Sequence, residues 1–181
     1  MKKHLLILTL AIGLFSFQGI AQDNGIRAGW NYSGTFNSGD QVGGSLPNFY
    51  AGIFRNNKFG GILALHSGLE YLQNGWKTDD NNYRKAHTLS VPIGLRVKLG
   101  PFFALGGAGL NFKVSETSKG AAALQPKNEV FDLPLFLGVG FKIAIVSIEA
   151  RYNWGMLDAN SLGNQNQYLQ LGAGLHLFGG K

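Results

Sequence analysis

Chemistry at a protein site needs particular side chains brought together. Nucleophilic attack takes a hydroxyl beside an imidazole, acid–base work takes carboxylates, and a metal takes a cluster of histidines or carboxylates. The sequence offers four such groupings. His66 adjoins Ser67, His87 stands three residues before Ser90, Asp79 adjoins Asp80, and Glu149 stands two residues before Arg151 in VSIEARYNWG, residues 146–155. Whether a pair can act together depends on the element that carries it. In a β-strand, neighbouring side chains point to opposite faces, as do residues three apart, while residues two apart share a face. On strands, both His–Ser pairs are split and only Glu149 and Arg151 stay together. His66 and His176 share a parity and read as hydrogen-bonded filler rather than a metal pair. Asp79–Asp80 sits among asparagines and reads as a solvated turn, with a cation or sugar as the alternative. The glycines of GGAGLNF (106–112) and LGVGF (137–141) lack the strand-to-helix turn and following Lys-Ser/Thr of a phosphate loop. No catalytic residue, cofactor or metal is expected.

The elements behind these residues are strands. Period-two alternation dominates the chain after residue 21 and no convincing helix occurs. Eight runs read as strands, at residues 25–33, 48–56, 59–74, 85–99, 102–115, 130–143, 145–154 and 167–178. In the fourth, Leu89, Val91, Ile93, Leu95, Val97 and Leu99 share one parity, and Pro92 marks a bulge or local distortion. Long and short connections alternate between the runs. GTFNSGDQVGGSLP, GWKTDDNNYR, SETSKGAAALQPKNE and GMLDANSLGNQN are long, while NNK, GP and the step at Ala144 are short. Four long loops therefore collect at one end of the fold, with three tight turns and both termini at the other. Several runs reach the length of about nine to eleven residues that a tilted membrane-spanning strand needs.

Composition agrees with many short strands separated by glycine and asparagine turns. Charged residues make up 14% of the chain, against about 25% in soluble domains. Residues 1–21 have a basic start at Lys2 and Lys3, an apolar run from Leu5 to Phe17 and a small-residue close at Gly19-Ile20-Ala21, which is the pattern of a signal peptide cleaved after Ala21. The remaining residues, 22–181, form one domain. The formal charge of +6 falls to +4 without Lys2 and Lys3, and no basic run exists, so nucleic acid is not a partner. With no cysteine, disulfides, thiolate metal sites and an acylated-cysteine anchor are excluded. A chain with no spanning helix enters a membrane only as a closed barrel.

Alternation alone does not say which face is wet. A soluble barrel is apolar inside and a membrane barrel apolar outside. Ring positions favour the membrane. Trp30, Tyr32, Trp76, Tyr152, Trp154 and Tyr168 lie toward the long loops, and Phe54, Phe59, Phe102, Phe103, Phe141 and Phe178 toward the tight turns, as two interface belts would. Arg27, Glu70, Arg96, Asp132, Glu149 and Arg151 fall on the parity opposite the aliphatic residues, which makes them a lumenal ion-pair network. In the last strand, Gln170, Gly172, Leu175 and Leu177 fit the spacing of the terminal signal read by the outer-membrane assembly machinery.

FDLPLFLGVGFKIAIVSIEARYNWGMLD (131–158), with Asp132, Gly138, Gly140, Glu149, Arg151, Tyr152, Asn153 and Gly155, resembles a porin-like outer-membrane β-barrel family common in Bacteroidetes. GIRAGWNYS, SGLEYLQNGWK and LSVPIGLRVKL resemble its first, third and fourth strands, and Ser90 stands where that family often has an acidic residue. The expectation is an all-β, eight-stranded antiparallel up-and-down transmembrane β-barrel in the cell outer membrane. Its expected role is non-enzymatic, structural or surface-interacting or narrowly porin-like, with a polar-filled lumen. Its partners would be outer-membrane lipid, the assembly machinery and an unknown surface or secretion partner. The alternatives are a soluble periplasmic barrel holding a small apolar ligand and a lipid-modifying barrel enzyme.

Overall fold

The structure, a computed structural model, describes residues 22–37, 40–79, 81–120, 130–157 and 165–179. The segment read as a signal peptide lies outside them. The strands are β1 (Gln22–Asn37), β2 (Asp40–Lys58), β3 (Leu63–Asp79), β4 (Asn82–Leu99), β5 (Phe102–Lys119), β6 (Phe131–Asp132), β7 (Pro134–Ile143), β8 (Val146–Gly155) and β9 (Gln165–Gly179). Each pairs antiparallel with its neighbour, β1 pairs both β2 and β9, and the β4–β5 pairing closes the ring. β6 and β7 occupy one strand position. Asn111 opposite Asp132 and Ala108 opposite Leu135 continue a single register along β5, and the pairing with β5 lapses over Leu133 and Pro134, the latter having no N–H to give the ladder. The molecule is a closed eight-stranded barrel with one strand interrupted.

The wall is inverted relative to a soluble barrel. Val139 and Ile148 point outward at 61% and 64% exposure, whereas Glu70 and Arg151 point inward at 1% each. Asn31, Asn56, Asn111, Asn153 and Gln170 are buried with them, while Ile26, Ile53, Leu137, Leu171 and Leu175 cover the outside. An apolar exterior around a polar interior is stable only if the exterior meets lipid. The soluble-barrel alternative fails on this point.

The strands run beyond the bounds that alternation marks. β1 and β2 stay paired out to Asn37 and Asp40, and β3 and β4 to Asp79 and Asn82. Much of the two connections read as long polar loops is therefore paired strand. Outside the bilayer a hairpin has no apolar face to present, so pairing continues in polar sequence that carries no alternation. The short turns are tighter. Gly100–Pro101 and Ala144–Ile145 each join strands through two residues, and both begin with a positive φ, 64° at Gly100 and 50° at Ala144. Pro92 interrupts the β3–β4 ladder between the Ser67–Ile93 and Glu70–Ser90 pairs, and Ser90, Val91 and Pro92 are buried in succession.

Candidate functional site

The site with the most chemistry is the lumen. Arg27 on β1, Glu70 on β3, and Glu149 and Arg151 on β8 converge there. Arg27 ion-pairs with Glu70 and donates from Nη1 to Glu149 Oε1 at 3.2 Å. Arg151 Nη2 lies 3.0 Å from Glu70 Oε1 and 3.2 Å from Glu149 Oε1. Two cations and two anions alternate, so each charge has two opposite neighbours, the arrangement a desolvated charge needs. Glycines let these side chains meet. Gly52 separates Arg27 from Glu70 in the register, and a Cβ there would lie 2.8 Å from Glu70 Cγ. Gly172 and Gly174 lower the β9 wall between β1 and β8, and the Tyr50 hydroxyl occupies the space a Cβ at Gly172 would take.

The network continues toward the tight turns. Arg27 Nη2 donates to His66 Nε2 at 3.1 Å, so the remaining ring proton sits on Nδ1 and is donated to Asn56 Oδ1 at 2.7 Å. Asp23 Oδ1 lies 2.7 Å from His176 Nδ1, and His176 Nε2 lies 3.0 Å from Ser147 Oγ. Lys142 Nζ contacts Asp23 at 3.2 Å. The connectivity of Asp23, His176 and Ser147 is that of a hydrolytic triad. The surroundings are not. The cavity beside Ser147, lined also by Arg27, Tyr50 and Glu149, holds 10 Å³, about the room for one water. No acyl group fits against the hydroxyl. At the other end, Glu116 binds Arg84 Nε at 3.2 Å and Lys113 Nζ at 2.6 Å, and Asn31 donates to Asn74 Oδ1 at 2.6 Å. No three His, Asp or Glu side chains among the described residues converge to hold a metal.

Two residues assigned to the network lie elsewhere. The Arg96 guanidinium stacks 3.7 Å over the Phe103 ring and makes no ion pair with a carboxylate among the described residues. Asp132 is paired with Asn111 on β5, beyond Pro134 and too far toward the long loops to reach the cluster, and lines a 30 Å³ cavity there. Among the rings, Trp30, Tyr32 and Trp154 face outward. Tyr152 is half-buried, hydrogen-bonded to Gln167 Oε1 at 2.7 Å and edge-on to Trp154. Tyr168 is not an interface residue. It is 2% exposed and its hydroxyl accepts from Asn111 inside the lumen at 3.1 Å. Trp76, Phe54 and Phe103 also point inward, Phe59 and Phe102 outward, and Phe141 is half-buried against Phe102. The Phe178 side chain is outside the described set. In β9, Gln170 and Gly172 lie on the lumenal parity and Leu175 and Leu177 on the outer one. Sequence reading did not single out Asp23, Ser147 or Lys142. Asp23 precedes its first strand, although the shared parity of His66 and His176 was a usable signal.

The sequence model of a family described as outer membrane protein beta-barrel domain matches residues 20–160. No curated protein matches the chain. Among solved structures, Ail, the attachment invasion locus protein of Yersinia pestis, aligns over 87% of this chain and 99% of its own at 16% identity and a TM-score of 0.55. The same protein in complex with the heparin analogue sucrose octasulfate aligns at 17% identity and a TM-score of 0.54, with the same coverage. Neisserial surface protein A aligns over 85% of this chain and 97% of its own at 14% identity and a TM-score of 0.56. These likenesses concern the fold.

Proposed function

The chain belongs to the outer membrane protein beta-barrel domain family, and from that premise we propose that it acts by what it presents at the cell surface rather than by conduction or turnover. It is an integral outer-membrane barrel. The observation that carries the proposal is the filled lumen. The Arg27–Glu70–Glu149–Arg151 cluster crosses the interior, and the cavity beside it holds 10 Å³. What remains for function is the end carrying the paired extensions of β1–β2 and β3–β4 and the connections that follow β5 and β8. A surface or secretion partner is proposed for that end, outer-membrane lipid for the wall, and the assembly machinery for the Gln170–Leu177 pattern of β9. Export with cleavage after Ala21 and a non-enzymatic role belong to the same reading. Ail, which is similar in fold, has been solved in complex with the heparin analogue sucrose octasulfate. Planar-bilayer recording of the purified barrel tests the proposal. Only small, infrequent currents are expected, and large stable conductance steps overturn it in favour of a pore.

A further inference from the structure

We propose that the tight-turn mouth of the barrel is an anion site that binds a phosphate group on Arg96, helped by Lys58, Lys98 and Lys142. The first observation is a contrast among buried arginines. Arg27, Arg84 and Arg151 each contact a carboxylate. Arg96, at 8% exposure, makes no ion pair with a carboxylate among the described residues; its guanidinium lies over the Phe103 ring, and Asp23 and Glu149 act on it only through space. No hydrogen bond or ion pair among the described residues engages its N–H groups, and a guanidinium seated over a ring can offer its N–H edge to an oxyanion in a fork.

The second observation is where that edge lies. Arg96 lines both the small cavity beside Ser147 and a larger one of 120 Å³ at the mouth. The larger cavity exceeds a single water's need of about 10–15 Å³ many times over. Its wall carries Lys58, Lys98 and Lys142 as well as Arg96, against one carboxylate, Asp23, which Lys142 and His176 already engage. Lys58 and Lys98 are exposed and make no ion pair among the described residues. Gly60 and Gly61 form part of the wall, and a Cβ at either would meet nothing within 4 Å, so the described residues leave the mouth open there. A phosphate directs its charged oxygens tetrahedrally, so one group can face a guanidinium fork and ammonium groups on other sides of the mouth at once, while the two oxygens of a carboxylate lie in one plane. The group can come from free phosphate or from an anionic lipid headgroup, which share this chemistry.

The test uses the full barrel refolded in maltoside micelles, with heat-modifiable mobility checked first. Inorganic phosphate is titrated at constant ionic strength against chloride, and binding is read by calorimetry or NMR shifts. Saturable phosphate binding is expected, weakened about tenfold or more in Arg96→Gln, the scale of lost charge-assisted hydrogen bonds. The exposed double variant Lys58→Gln/Lys98→Gln is expected to weaken it several-fold and carries the test if Arg96→Gln fails to fold. Lys119→Gln, outside the mouth, is expected to bind as wild type. Phosphate behaving like chloride, or all variants binding like wild type, overturns the site. Repeating the titration in phosphatidylcholine nanodiscs with and without phosphatidylglycerol identifies the source. Competition by phosphatidylglycerol assigns a lipid headgroup, no competition assigns free phosphate, and either result upholds the site.

Discussion

At Glu70 the interior is held most tightly, because one buried carboxylate serves both Arg27 and Arg151. Glu70→Gln keeps the shape and removes the charge, leaving two guanidinium groups with Glu149 alone. Breaking a buried ion pair from one side costs about 3–5 kcal/mol, and that loss is expected in urea unfolding of the barrel in lipid vesicles. Glu149 is less completely buried than Glu70, so Glu149→Gln is expected to cost less. An unchanged unfolding midpoint for Glu70→Gln would show that the cluster does not stabilise the lumen. A second residue-scale prediction concerns Ser147. Its bond to His176 has triad geometry, but the 10 Å³ beside it excludes an acyl group, so a fluorophosphonate probe is expected to leave the folded protein unlabelled. Labelling at Ser147 would reopen the enzyme reading. Parity in the sequence was enough to put Glu149 with Arg151 and to split His66 from Ser67. Glu70, placed in the same network, does meet Arg151; Arg96 and Asp132, placed there too, do not join the cluster, because parity gives the face but not the height at which strands far apart in the chain meet across the lumen. Tyr168 and Trp76 were misplaced by reading their height in the wall ahead of their parity, which they share with Gln170 and Glu70.

The turns and strand ends show where an element's sequence speaks and where it falls silent. The two tight turns are built alike, yet one puts glycine at the positive-φ position, Gly100, and the other puts alanine there, Ala144. An L-residue in the left-handed region costs roughly 1–2 kcal/mol relative to its usual conformation, and glycine does not. Ala144→Gly is therefore expected to stabilise the barrel by about 1 kcal/mol, read as a higher midpoint in the same urea titration, and a lower midpoint would refute the turn geometry. The order of strands was legible because the bilayer imposes alternation on the spanning part of each strand, whereas the short turn read at NNK is paired strand and the connection lies at residues 59–62. The paired extensions to Asn37, Asp40, Asp79 and Asn82 were not legible, since polar sequence beyond the membrane obeys no such constraint. Nor was the division of one strand into β6 and β7, although Pro134 was in plain view and its missing donor is the reason.

For the whole molecule, the inside-out wall makes a claim that the three tryptophans can decide. Trp30 and Trp154 face outward at 63% and 39% exposure, while Trp76 is 8% exposed within the lumen. Indole rings on the outer wall settle at the membrane interface, with their apolar part toward the acyl chains and the N–H toward the headgroups. Replacing two tryptophans at a time with phenylalanine gives three single-tryptophan proteins. In vesicles of lipids brominated at different acyl positions, fluorescence from Trp30 and from Trp154 should be quenched, more strongly by bromines near the headgroup than by those at mid-bilayer. Trp76 should be nearly insensitive to bromine at any depth, because the strand wall stands between it and lipid. A soluble barrel would show no depth-dependent quenching from any of the three. Quenching of Trp76 together with protection of Trp30 would mean the faces are reversed, and the ion-pair cluster would then face solvent instead of filling the lumen.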